Sequence, residues 1–159
     1  MAGENLPQAL DLMEKMSSEG ACFTVDVLGE EIQSLEESTW FIDEYERVLE
    51  SIAERGLDAN ISIKPTALGL LIDKEAAHGS IERIVRKASE SQTFVRLDME
   101  DHRATQATID AAKAMHSMGL YNVGVVLQGR MHRTPEDISD YCQFTGNQAD
   151  FRICKGIYL

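Results

Sequence analysis

Phe94-Val95-Arg96-Leu97 is a short apolar, β-branched run that breaks off into Asp98-Met99-Glu100-Asp101. A run of this length ended by charge reads as a buried strand that stops where the carboxylates begin. Similar runs lie on its amino side, at 22–27 and 60–63, and on its carboxyl side, at 122–127 and 151–154. Each neighbouring pair is separated by a segment long enough for a helix, and no pair is joined by a hairpin-length turn. Strands that alternate with helices in this way pair in parallel through right-handed crossovers. The expected class is α/β with about five parallel strands.

The intervening segments carry helical patterning. Tyr45, Val48, Leu49, Ile52 and Ala53 recur at helical spacing with charges opposite, and Gly56 is a stop. Ile81, Ile84, Val85 and Ala88 form a second stripe, for which Ser80 is the expected N-cap. A third helix is expected over 104–118, ending at Gly119, with Met115 and Met118 filling the core. Thr134-Pro135-Glu136-Asp137 combines an N-cap hydroxyl, an early proline and first-turn acids. Residues 1–20 form an additional amphipathic helical segment. No repeat or linker divides the chain, so 1–159 reads as a single domain.

A formal charge of -12 argues against nucleic acid, whose phosphates are gripped by Lys and Arg. It argues equally against an anionic membrane surface and leaves room only for a local basic patch and peripheral membrane contact. No segment reaches the roughly 18 apolar residues of a membrane span. Cys22, Cys142 and Cys154 are widely spaced without a C-x-x-C pair, which fits a reducing cytoplasm rather than a disulfide framework or zinc site. His78, His102, His116 and His132 share no ligand spacing and read as surface or loop residues.

Each apolar run ends on a polar group: Asp26, Lys64, Asp98, Gln128 and Lys155. Ligands of parallel α/β folds sit at the carboxyl ends of the strands, so this rim is a candidate site. Alternation sends Asp98 and Glu100 to one side. Together they would hold a hard cation or place a general base, while helix capping is the favoured role for Glu100 and Asp101. Lys64 can pair with a carboxylate, hold a substrate anion, act as a Schiff-base lysine or snorkel at a strand end. Arg152 and Lys155 precede Gly156, an arrangement suited to a cofactor with phosphates or an electron-rich ring. The common phosphate-loop, zinc and serine-hydrolase motifs are absent.

The segments Asn60-Ile61-Ser62-Ile63-Lys64-Pro65-Thr66-Ala67-Leu68-Gly69-Leu70, Val95-Arg96-Leu97-Asp98-Met99-Glu100-Asp101, Asn122-Val123-Gly124-Val125-Val126-Leu127-Gln128 and Arg152-Ile153-Cys154-Lys155-Gly156-Ile157-Tyr158 closely resemble proline dehydrogenases, in order and at suitable spacing. Thr24-Val25-Asp26-Val27-Leu28-Gly29-Glu30 is similar to an early barrel strand of that family. The resemblance implies an incomplete (βα)8 TIM-type barrel that binds FAD. It implies oxidation of L-proline to Δ1-pyrroline-5-carboxylate with a quinone electron acceptor. Lys64, Asp98 and Tyr158 would then be catalytic. Asp98, Met99, Gln128, Arg152, Lys155, Gly156 and Ile157 would line the flavin, and no metal is implied.

Three departures from the family pattern bear on these expectations. Gly129-Arg130 stands where Ala-Tyr is usual, Ile157 replaces an Ala, and the sequence ends at Leu159 after the fifth strand. The chain is therefore expected to be a truncated barrel, inactive alone, whose missing carboxyl-terminal half or oligomer partner supplies proline-carboxylate recognition. Two other readings stand beside it: a non-catalytic binding module, and a Schiff-base lyase or aldolase built on Lys64.

Overall fold

The computed structural model describes residues 5–157. Helix α1 (Leu6–Ser17) leads into strand β1 (Phe23–Asp26), followed by α2 (Leu35–Arg55), β2 (Ala59–Ile63) and α3 (Lys74–Glu90). Then come β3 (Val95–Leu97), α4 (His102–Ser117), β4 (Val123–Gln128), α5 (Thr134–Thr145) and β5 (Phe151–Cys154). The five strands form one sheet in sequence order, and every neighbouring pair is parallel. With a helix between successive strands, the sheet is a half-barrel.

Strand register separates the two faces. Val25 pairs with Ile61, Ile61 with Val95, Val95 with Val123, and Val125 with Phe151. These odd-numbered positions face the helices, because strand side chains alternate. Ile61, Ile63, Val95, Leu97, Val123 and Val125 are all fully buried there. They pack with Tyr45 and Leu49 of α2, Ile81 and Ile84 of α3, Ile109 and Met115 of α4, and Tyr141 of α5. Each such aliphatic side chain contributes on the order of 1.5–3 kcal/mol by leaving water.

The even-numbered positions make the other face, and it is polar. Asp26 pairs with Ser62, Ser62 with Arg96, and Arg96 with Gly124. Arg96 forms an ion pair with Asp150, immediately before β5. It does so across β4 at Gly124, where a Cβ would stand 2.5 Å from the Asp150 carbonyl oxygen. The glycine makes room for the charge pair.

Helix ends follow local chemistry, with two departures from expectation. Glu37 reaches back to the Ser34 N–H at 3.0 Å to start α2, and Gly56 ends it in the left-handed conformation at φ 60°. Helix α3 starts earlier than its apolar stripe suggested: Asp73 is the N-cap and accepts from Glu75 and Ala76. Ser80 lies inside the helix and donates back to the Ala76 carbonyl. Lys74, Glu75 and Ala76 at the start of α3 are exposed, and of the first turn Ala77 alone is buried, so the apolar stripe gave little sign of it. At α5 the N-cap is Arg133, while the Thr134 hydroxyl donates 2.6 Å to the Gln128 carbonyl.

Two core assignments also change. His116 is buried, with Nε2 3.2 Å from the Val123 carbonyl oxygen and 3.2 Å from the Tyr141 hydroxyl. Met118 is exposed at the end of α4, whereas Met115 fills the core. Among the described residues, no helix is long and apolar enough to cross a membrane.

Candidate active site

The site is built where the strands end. Lys64 is the first residue after β2 and Asp98 the first after β3, so the register carries both onto the polar face. Lys64 Nζ donates to Asp98 Oδ2 at 3.1 Å and stands 3.7 Å from Asp26 Oδ2 at the end of β1. Asp98 Oδ1 accepts the Met99 N–H at 3.0 Å and lies 3.9 Å from Arg152 Nη2 on β5. Four charges of alternating sign, Asp26, Lys64, Asp98 and Arg152, thus run across the carboxyl ends of the sheet.

Their electrostatics are set by partial burial. Burial pushes the Asp26 carboxyl above its usual range, and Lys64 together with the Tyr45 hydrogen bond offsets only part of this. Burial also disfavours the Lys64 ammonium, but the Asp98 hydrogen bond and the charges of Asp26 and Asp98 outweigh it and raise its pKa. Lys64 is therefore a fixed cation at neutral pH.

The three consecutive strand-end acids diverge in role. Asp101 caps α4 by accepting the Arg103 N–H at 2.8 Å, as its position suggested. Glu100 is no cap. It is buried and accepts from Thr66, at 2.9 Å from the backbone N–H and 2.5 Å from the hydroxyl. Burial raises the Glu100 pKa against the opposing effect of those two bonds. Among the described residues, no group of three His, Cys, Asp or Glu side chains is placed to hold a metal ion.

The amide side of the rim is equally ordered. Gln128 is buried, and its Nε2 donates 2.8 Å to the Met99 carbonyl. Gly156, at φ 73°, lies so close to this side chain that a Cβ would stand 2.2 Å from Gln128 Oε1. Met99, Gln128 and Gly156 therefore form one packed unit beside Asp98. Lys155 and Ile157 are exposed at its edge, and no hydrogen bond or ion pair joins the Lys155 side chain to the four-charge row. Of Arg152 and Lys155, Arg152 is the one that approaches Asp98. Tyr158 lies outside the described residues.

Two contributors were not evident from the sequence. Tyr45, counted in a helical apolar stripe, sends its hydroxyl 3.3 Å to Asp26 Oδ1 and 3.1 Å to the Ser62 carbonyl. Thr66, in the 3-10 turn Pro65–Leu68, receives Glu31 N–H on its hydroxyl at 3.0 Å while donating to Glu100. Neither position departs from its local pattern, so only the fold brings them to the site.

Comparison with known proteins adds three findings. A family profile described as proline dehydrogenase matches residues 9–159. Proline dehydrogenase 1 of Bacillus subtilis subsp. natto and proline dehydrogenase 2 of Bacillus subtilis strain 168 are 28% and 30% identical over 158 residues, 99% of this chain. The chain spans about half the length of these relatives, 51% of each. A crystal structure of proline utilization A from Bdellovibrio bacteriovorus, inactivated by N-propargylglycine, superposes with a TM-score of 0.88 at 22% identity. That superposition covers 98% of this chain and 20% of the other, and it shows a shared fold.

Proposed function

The chain belongs to the proline dehydrogenase family, and on that premise we propose that it forms the amine-binding part of a flavoprotein that oxidises L-proline to Δ1-pyrroline-5-carboxylate. FAD is its cofactor and a quinone the final electron acceptor. The observation that carries this reading is the Lys64–Asp98 ion pair, 3.1 Å long, at the carboxyl ends of parallel strands.

The donor set fits a flavin dinucleotide. Among the described residues Arg152 has no carboxylate nearer than Asp98 at 3.9 Å, and Lys155 is exposed, so both cations have charge to offer a diphosphate or an electron-rich ring. Asp98, Met99 and Gln128 would border the ring system, with Gly156 allowing close backbone approach and Ile157 adding bulk at the edge. When bound, FAD supplies the two-electron acceptor.

The chain's own groups have separable tasks. As hydride departs from the carbon beside the amine, positive charge grows on that nitrogen, and the Asp98 carboxylate lowers the cost of that charge. Lys64 holds Asp98 in one orientation, and Asp26 holds Lys64 from the opposite side. Tyr158 is proposed to lie against substrate and flavin.

The 159 residues alone are expected not to turn over proline. Among the described residues β1 and β5 each pair on one side only, and no described group is assigned to the substrate carboxylate. The test replaces the matching half of the Bacillus subtilis strain 168 relative with this chain and measures proline-dependent dye reduction. Turnover by the flavin-loaded chimera supports the reading, with a loss of about 10²-fold or more in Lys64→Met. A chimera that retains flavin but ignores proline overturns it. Borohydride trapping of a carbonyl substrate on Lys64 would point to lyase chemistry instead.

A further inference from the structure

Glu100 is a buried acid to which the chemistry above gives no task. Its two oxygens take both donors of Thr66, and the Thr66 hydroxyl oxygen accepts the Glu31 N–H. Thr66 lies two residues beyond Lys64, and Glu100 lies two residues beyond Asp98. The Thr66–Glu100 contact therefore repeats the Lys64–Asp98 contact one step further out, between the same two chain segments.

The two rungs differ in their surroundings. Thr66 is 3% and Glu100 8% exposed, whereas the Lys64 and Asp98 side chains are 18% and 26% exposed. A partly solvated ion pair on a long, flexible lysine is loosely held unless the backbone beneath it is fixed. A buried carboxylate with two charge-assisted hydrogen bonds is a firm fixing point. Strand pairing alone does not call for an acid here, since β2 and β3 already share three register pairs. Apolar side chains would pack that spot without the desolvation cost of a carboxylate.

We infer that Glu100 is a positioning residue for Lys64. By gripping Thr66 it holds the ends of β2 and β3 at the separation that lets the Lys64 ammonium meet Asp98. Through Glu31 it also ties in the loop after β1, the strand that ends in Asp26. The part that Lys64 plays toward a substrate amine rests on the functional reading above. The link from Glu100 to Lys64 does not.

The test is the coupling between Lys64 and Asp98, measured in the 159-residue chain by urea unfolding. The double-mutant cycle uses Lys64→Met and Asp98→Asn and is repeated in Glu100→Ala, Glu100→Gln and Thr66→Val backgrounds. A residue that only adds stability shifts all members of the cycle together and leaves the coupling unchanged. The expected coupling in the native background is about fivefold in the unfolding constant. It should fall to less than half of that factor in Glu100→Ala and Thr66→Val, and Glu100→Gln, which keeps the shape and can still accept one of the two Thr66 donors, should restore part of it. Unchanged coupling in Glu100→Ala overturns the inference. Should Glu100→Ala fail to fold, unchanged coupling in Thr66→Val overturns it equally. The readout needs neither flavin nor proline, so a failure of the flavoenzyme reading would leave it standing, and the reverse.

Discussion

Lys64 is the residue whose behaviour most directly reports the site, because its ammonium faces Asp26 from β1 and Asp98 and Glu100 from the segment after β3. Its folded pKa is raised above the ordinary 10.5, so its contribution to stability is complete below that value and is lost as pH climbs through the folded value. Unfolding by urea should therefore become easier at strongly alkaline pH, and Lys64→Met should flatten that limb. Asp26 and Glu100 act in the opposite pH range. Their folded values lie above the ordinary 3.8 and 4.5, so each favours the folded state when protonated and opposes it when ionised. Their share of stability is present in acid and is lost as pH rises through the folded values. Acidifying from neutrality toward those values should raise the urea midpoint through these two groups, and Glu100→Gln should remove the Glu100 share. A mutant and a parent with superimposable pH profiles would contradict the assignment of burial as the cause.

At the level of elements, helix starts and glycine positions separate what the sequence shows from what it hides. Asp73→Ala should cost about 1 kcal/mol, because it leaves the N–H groups of Glu75 and Ala76 uncapped, whereas Ser80→Ala should stay within about 0.5 kcal/mol. Thermal unfolding of the two variants distinguishes a helix starting at Lys74 from one starting at Ile81. The stripe Ile81, Ile84, Val85 and Ala88 was readable because it packs on the sheet, and the helix start was not, because Lys74, Glu75 and Ala76 are exposed and apolar periodicity reports burial and not helix length. The strands were readable to within a residue, since short β-branched runs between helices leave few alternatives. Gly124 gave no such signal. Its role depends on Arg96 and Asp150 meeting over it, a contact between β3, β4 and the residue before β5 that no local pattern encodes. Gly124→Ala should accordingly cost about 1–3 kcal/mol, since the added Cβ meets backbone that cannot move cheaply.

Across the whole molecule, the row Asp26, Lys64, Asp98 was anticipated as polar residues at strand ends, and parallel register is what brought them together. Thr66 and Tyr45 were not, since each belongs to the site only through a partner about 17 to 35 positions away in the chain, and Glu100, noticed as a strand-end acid, holds Thr66 instead of capping α4. The same register has a consequence for stability that differs from strand to strand. Strands β2, β3 and β4 are hydrogen-bonded on both sides, and β4 is buried at every position. Strand β5 pairs only with β4 among the described residues, and three of its four residues are exposed. Local opening of β5 breaks one ladder and uncovers little apolar surface, whereas opening β3 breaks two ladders and exposes Val95 and Leu97. Amide hydrogen exchange of the 159-residue chain should therefore rank β5 far below β3, with β1 between them because Phe23 and Val25 both pack on the core, against Phe151 alone in β5. The difference should exceed about tenfold in protection, since one buried strand more or less is worth well over 1 kcal/mol. Protection in β5 equal to that in β3 would mean that its outer edge is covered in solution, by a second copy of the chain or by further strands, and the ranking would be wrong.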